Sequence, residues 1–172
     1  MKRKLLQFAV LIGTVSATGW LLAGEHEGEQ RGKALAPVSN PKWQAECSAC
    51  HTLYHPGLLP ERSWRRLMGG LDKHFGENAS LDPVSQKEIT EFLAANGADH
   101  ANSRRSAKIS QSIPAGTAPL RVTETAWFVR KHDEIRADIW KRPKLGSQAN
   151  CAACHSGAEK GDFAEAGVRI PR

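Results

Sequence analysis

This chain of 172 residues has few aromatic residues, only four cysteines and none of the familiar enzyme motifs. Aromatic side chains form only 6% of it, but apolar residues form 40% and charged residues 24%, as in folded globular proteins. No low-complexity tract is present, which excludes fibrous and collagen-like classes. The sequence also lacks a glycine-rich phosphate-binding loop and an HExxH motif, so two common enzyme classes are not indicated.

The formal net charge of +6 comes largely from the N-terminus. Residues 1–24 contain Lys2, Arg3 and Lys4 without any acidic residue, and the remaining chain has 21 basic against 18 acidic groups. A nucleic-acid-binding protein usually clusters its basic residues, whereas here the two signs alternate. The high charge therefore does not indicate nucleic-acid binding.

Residues 1–24 have the pattern of a secretory signal peptide. The basic start precedes an apolar run from Leu5 to Val15, and small residues at 17–19 form a candidate cleavage site, with a second one ending at Ala23. The alternative is an uncleaved anchor, because the 19 residues from Leu5 to Ala23 nearly suffice to cross a bilayer. Either way the protein is exported, and we expect a periplasmic location.

The four cysteines form two Cys-x-x-Cys-His motifs and none is left over. A thioredoxin-like site would need a βαβ setting, and a four-cysteine zinc site usually closes over ~15–20 residues, far fewer than separate these motifs. In c-type haem attachment, two thiols form thioethers with the porphyrin and the adjacent histidine binds iron. The sequence therefore predicts two covalently bound haem c groups, held by Cys47, Cys50, Cys151 and Cys154, with His51 and His155 as iron ligands.

The sixth ligand of the first iron decides whether that haem is closed to substrates. His74 continues the apolar stripe of Leu67 and Leu71 at a helix end, and we rank it first. Met68 is second, because His/Met ligation is common in small cytochromes c although a methionine within a helix usually fills the core. His55 ranks third, since it lies in a Pro/Gly-rich loop and could instead hydrogen-bond near the haem.

For the second iron, His132 is the best candidate. A helix capped by Thr123 would carry Phe128, His132, Ile135 and Ile139 along one apolar stripe. An imidazole in such a stripe needs a partner for its ring nitrogen, and iron is the simplest one. The other two histidines are interpreted as solvent-exposed: His26 and His100.

The chain divides into five segments by pattern. A polar segment at 25–39 follows the signal, and helices starting at Asn40-Pro41, Pro60 and Asp82-Pro83 form a haem unit at 40–100. Residues 101–119 lack periodicity and are interpreted as a linker, with the pair Arg104-Arg105 as a solvated hinge. The second haem unit occupies 120–172, and the fold class is mostly α.

Several motifs make the chain similar to the dihaem cytochromes c, two-domain periplasmic electron carriers, over nearly all of its length after the signal. They include the haem motifs and the stretches at 57–60, 63–64, 74–76, 131–135 and 161–163. The resemblance implies a class I cytochrome c-like N-terminal haem domain and a small, irregular, helix-containing C-terminal one. It also implies bis-histidine ligation by His51 with His74 and by His155 with His132. His55 stands where relatives are expected to have a non-ligating residue.

The resemblance further implies electron transfer instead of enzymatic turnover. Relatives donate electrons to an oxygen-binding c-type cytochrome, the sphaeroides haem protein, and are fed by a membrane cytochrome b. An iron with two protein nitrogens has no vacant position, which favours outer-sphere transfer at low potential. The alternatives are a dihaem peroxidase-like enzyme, which is typically a larger protein, and a haem-based redox or gas sensor.

Overall fold

The computed structural model describes residues 34–172, a region built from helices and turns. Within that region the backbone forms isolated two-residue bridges but no extended strand. The prediction of a mostly α fold is confirmed. The predicted signal peptide and His26 lie outside the described residues. None of the helices in residues 34–172 has both the length and the apolar character needed to span a bilayer.

Three helices of the N-terminal half begin where the sequence predicts them. They are α1 (Pro41–Ser48), α2 (Glu61–Met68) and α3 (Pro83–Ala95). The side chain of Asn40 accepts one N–H group in the first turn of α1, and that of Asp82 accepts two in α3. Such caps satisfy amides that have no partner inside a helix, and proline fits the first position because it has no N–H. α3 packs against both α1 and α2.

The segment interpreted as a linker contains a fourth helix, α4 (Arg104–Gln111), which its lack of periodicity did not predict. Ser103 caps α4, Ile109 of the helix is buried in the core, and Ile113 is buried just beyond the end of the helix. The interpretation of both arginines as a solvated hinge is wrong for Arg105, which is partly buried. The sequence signal for α4 is weak because Ile109 is the one large apolar residue in the helix.

The C-terminal half has shorter helices than the N-terminal half. They are α5 (Ala126–Lys131) and α6 (Ala137–Trp140). Beyond them the chain forms three-residue 3₁₀ turns joined by irregular backbone, at Cys151–Ala153, Ala158–Lys160 and Glu165–Gly167.

The prediction of a longer helix from Thr123 to Ile139 is wrong. Thr125 is the cap, and the helix ends before His132. In a continuing helix the backbone N–H of His132 would bond to the carbonyl of Phe128. That carbonyl instead accepts a hydrogen bond from Nδ1 of the His132 ring at 2.9 Å. The side chain thereby competes with the helical hydrogen bond and leaves the imidazole at the end of α5.

One hydrophobic core includes side chains from both halves, among them Trp43, Leu93, Ile109 and Trp127. The segment before α1 also contacts the C-terminal half, because the backbone N–H of Leu35 donates to the carbonyl of residue 161 at 2.9 Å. The two haem motifs are therefore positioned by a shared core. The boundaries predicted for two separate domains stay a prediction.

Candidate haem-binding sites

The first Cys-x-x-Cys-His motif lies at the C-terminal end of α1. Cys47 belongs to the last turn of the helix, and Cys50 and His51 follow directly beyond it. Burial raises the pKa of the Cys47 thiol to about 11, whereas Cys50 is exposed. About one helical turn separates the two thiols, the spacing that c-type haem attachment uses.

The structure brings His74 to His51, the histidine of this first motif. The two ring centroids lie 6.1 Å apart and the ring planes are inclined by 26°. His74 directly follows the 3₁₀ turn Leu71–Lys73, whose Leu71 side chain is buried in the core. His51 donates from Nδ1 to the carbonyl oxygen of Thr52 at 2.8 Å, which leaves its Nε2 for another partner.

The second motif pairs with His132 in the same manner. Cys151 begins the 3₁₀ turn Cys151–Ala153, Cys154 directly follows the turn, and His155 comes next. The rings of His132 and His155 have centroids 6.1 Å apart, but their planes are nearly perpendicular at 83°. His132 also stacks on Phe128, with the ring centroids 4.1 Å apart.

The ring separation found at both sites matches what a shared metal ion requires. Two imidazole nitrogens, each about 2 Å from one metal, place their ring centres roughly 6 Å apart. A ligating histidine usually donates its other N–H to a carbonyl oxygen, as His51 and His132 do. Nδ1 of His155 differs, since it is buried without a hydrogen-bond partner among the described residues. The four imidazoles are thus a donor set that fits two haem irons.

Burial keeps two of these histidines in the neutral form that binds metals. It lowers the pKa of His74, and the nearby charge of His51 lowers it further. The pKa of His155 is lowered mainly by burial and then by the charge of His132. Only a neutral imidazole has a lone pair available for iron, so both shifts favour ligation.

The second histidine pair lies in a cavity of about 440 Å³. This volume is within the range of small-molecule and cofactor sites, which are typically apolar with a few polar groups. Aromatic rings form much of the wall, next to both motif cysteines and both histidines: Trp127, Phe128, Trp140 and Phe163. A flat, largely apolar porphyrin fits such a lining.

The remaining candidates have other surroundings or partners in the structure. Met68 is buried in the hydrophobic core. Both ring nitrogens of His55 are used, because Nε2 donates to the carbonyl of Ala36 and Nδ1 accepts from the N–H of Gly57. His100 contacts a carboxylate oxygen of Glu61 at 2.7 Å. The first-ranked residues, His74 and His132, are those that meet the motif histidines.

Tyr54 links the two sites, a role that the sequence did not reveal. Its hydroxyl donates to the carbonyl of Ala149 at 2.6 Å, just before the second motif. Its ring lies 5.3 Å from the ring of His51 in an edge-to-face arrangement. Burial, followed by the nearby Cys151 thiol, raises the pKa of this phenol to about 12, so it stays a hydrogen-bond donor. The available signal was that this is the one tyrosine of the chain.

Comparison with known proteins identifies the family. A sequence model of the family Dihaem cytochrome c matches residues 43–163, which include both haem motifs. No curated protein matches the chain significantly. A solved dihaem cytochrome c from Rhodobacter sphaeroides is 46% identical, with a TM-score of 0.67, covering 76% of this chain and 100% of that one.

Two further solved structures are similar to this chain. A second structure of the Rhodobacter sphaeroides protein is 44% identical, with a TM-score of 0.59, and covers 74% of this chain and 100% of its own. A dihaem cytochrome c from Shewanella baltica OS155 is 39% identical, with a TM-score of 0.62, and covers 77% of this chain and 93% of its own. The chain therefore belongs to the dihaem cytochrome c family and carries two covalently bound haem c groups.

Proposed function

We propose that this dihaem cytochrome c carries electrons by outer-sphere transfer through two low-spin haems, each ligated by two histidines. The observation that carries the proposal is the meeting of two histidine rings at 6.1 Å in each of the two sites. Bound haem supplies an iron that alternates between the ferric and ferrous states. His51 with His74, and His155 with His132, are the residues proposed to hold it.

The protein side of this function would be to hold the two ligating histidine rings of each haem firmly in place. The Nδ1 hydrogen bonds of His51 and His132 fix the orientation of those rings, and the buried Leu71 anchors the turn that carries His74. Rigid ligands change little when the charge at the site changes, which favours rapid transfer. Nitrogen donors without methionine also favour low reduction potentials.

We further propose a periplasmic location and another c-type cytochrome as electron acceptor. The N-terminal pattern of a secretory signal supports export. The family resemblance supports an oxygen-binding acceptor of the sphaeroides haem protein type and a membrane cytochrome b as donor. The proposed role excludes turnover of a substrate at either haem.

Optical and EPR spectra of the purified holoprotein, with carbon monoxide added to the reduced form, test this proposal. We expect two low-spin signals, slow and incomplete carbon monoxide binding, and negligible peroxide turnover, because four histidines would hold the two irons and leave no open site. Rapid stoichiometric binding of carbon monoxide at either haem would refute the carrier function. That outcome would favour the peroxidase-like or sensor function instead.

A further inference from the structure

Arg105 projects from α4 into the cavity of the second haem motif. Its guanidinium carbon lies 5.8 Å from the ring centroid of Trp127 and 5.9 Å from that of Phe163. The same cavity is lined by the motif residues Cys151 and Cys154. A cation is thus held between two aromatic rings in the wall of a cofactor site.

This guanidinium lacks a close partner of opposite charge. Among residues 34–172, none of the salt bridges or side-chain hydrogen bonds involves Arg105. Burial lowers its pKa, and the more distant carboxylates of Asp162 and Glu165 offset only part of that effect. A partly buried charge without a partner is costly, and two cation–π contacts compensate only in part.

A haem combines the two features that this position requires, an apolar ring system and carboxylates at one edge. The geometry assigns Arg105 as the residue that binds a propionate carboxylate of the second haem while its guanidinium stays beside the rings of Trp127 and Phe163. A planar guanidinium suits this role because it forms paired, charge-assisted hydrogen bonds with a carboxylate.

The other charged residues at this cavity are less suitable. Arg104, Lys108 and Lys131 line it with exposed side chains, and the exposed Glu165 carries the wrong charge. An exposed cation gains little from a pair that water screens. The inference rests on haem attachment at the second motif and does not depend on which residues ligate the iron.

The test compares the holoprotein with its variants Arg105→Met, Arg105→Gln and Arg105→Lys. Methionine keeps an unbranched apolar side chain but removes the charge, whereas lysine keeps the charge. Arg130→Gln is the matched control, because Arg130 is exposed on α5 and does not line the cavity. Potentiometric titration with optical and EPR detection gives the potentials and spin states of both haems.

We expect Arg105→Met and Arg105→Gln to disfavour the ferrous state of one haem about tenfold. For a one-electron couple this lowers the reduction potential of that haem by about 59 mV. Loss of the cation leaves a propionate charge that opposes the added electron. A double variant, Cys151→Ser with Cys154→Ser, should lack the second haem, and the potential missing from it identifies the second haem as the affected one. Arg105→Lys should show less than half the shift, and Arg130→Gln none.

Two results would overturn the assignment. One is unchanged potentials in both uncharged variants that still carry two haems. The other is an equal shift in Arg105→Lys and Arg105→Met, because the charge would then not be the cause. Neither result bears on bis-histidine ligation, which the spin state of the unmodified protein tests separately.

Discussion

His55 is a buried histidine that connects distant parts of the chain, and its protonation should destabilise the protein below neutral pH. The residue is 4% exposed. Its Nε2 donates to the carbonyl of Ala36 at 2.9 Å, and its Nδ1 accepts from the N–H of Gly57 at 3.0 Å. A Cβ placed on Gly161 would lie 3.0 Å from its ring, so the C-terminal half also packs against it. Only the neutral ring with its proton on Nε2 satisfies both hydrogen bonds.

The sign and size of the effect follow from the pKa of His55. Burial lowers that pKa in the folded protein, whereas the unfolded chain has the ordinary value near 6.5. Unfolding therefore takes up a proton below about pH 6.5. The contribution of His55 to stability is complete above that pH and decreases as the pH falls towards the folded pKa. The maximum slope is about 1.4 kcal/mol per pH unit.

Denaturant unfolding of the holoprotein between about pH 7.5 and about pH 5 measures this contribution, with His55→Asn as the test variant. Asparagine keeps a donor and an acceptor but does not titrate. The variant should lose about 1–3 kcal/mol at neutral pH, and its deficit relative to the wild type should shrink as the pH falls.

The control for this experiment is His100→Asn. His100 is exposed, and its hydrogen bond to Glu61 raises its pKa, so any effect should grow at low pH instead. A deficit of His55→Asn that stays constant over the whole pH range would refute the reasoning.

Three further predictions concern ligation, packing and export. His132→Ala should leave haem attached at Cys151 and Cys154 but convert the second haem to a high-spin or water-ligated form with a higher reduction potential. An unchanged low-spin EPR signal and an unchanged potential would contradict the ligand assignment. Gly161→Ala should cost about 2–4 kcal/mol in thermal unfolding, because residue 161 has φ +72° and the added Cβ would lie 3.0 Å from Cβ of Leu35. Gly116→Ala is its control, since nothing lies within 4 Å there, and equal losses would refute the packing argument. The mature protein should show the mass of two added haems and lack roughly its first 19–24 residues by mass spectrometry, whereas a retained N-terminus would establish a membrane anchor.

Local sequence was sufficient for the haem motifs and for the starts of α1, α2 and α3. Thioether attachment needs two cysteines and a histidine within five consecutive residues, so the motif is complete wherever it occurs. Likewise, Asn40 and Asp82 cap their helices through hydrogen bonds that reach only two or three residues ahead. These interactions do not depend on the rest of the fold, which is why they could be predicted.

Helix α5, the first helix of the C-terminal half, illustrates the limit of periodicity. Phe128 and His132 have helical spacing, but the ring of His132 bonds to the carbonyl that would continue the helix. A periodic pattern cannot show that a side chain replaces a backbone donor. The helix predicted to reach Ile139 therefore ends at Lys131.

Residues that meet across long distances were decided by the tertiary structure. Sequence could rank His74 and His132 as candidates, but only packing brings each ring to 6.1 Å from its motif histidine. The hydrogen bond of Tyr54 spans 95 positions and is invisible to any local pattern. The surroundings of Arg105 also depend on the tertiary structure. Its short helix shows little periodicity, and the side chain is a partly buried cation because Trp127 and Phe163 pack beside it in the folded chain. The identity of the cofactor was thus a local property of the chain, whereas the surroundings of the cofactor depend on how the shared core assembles.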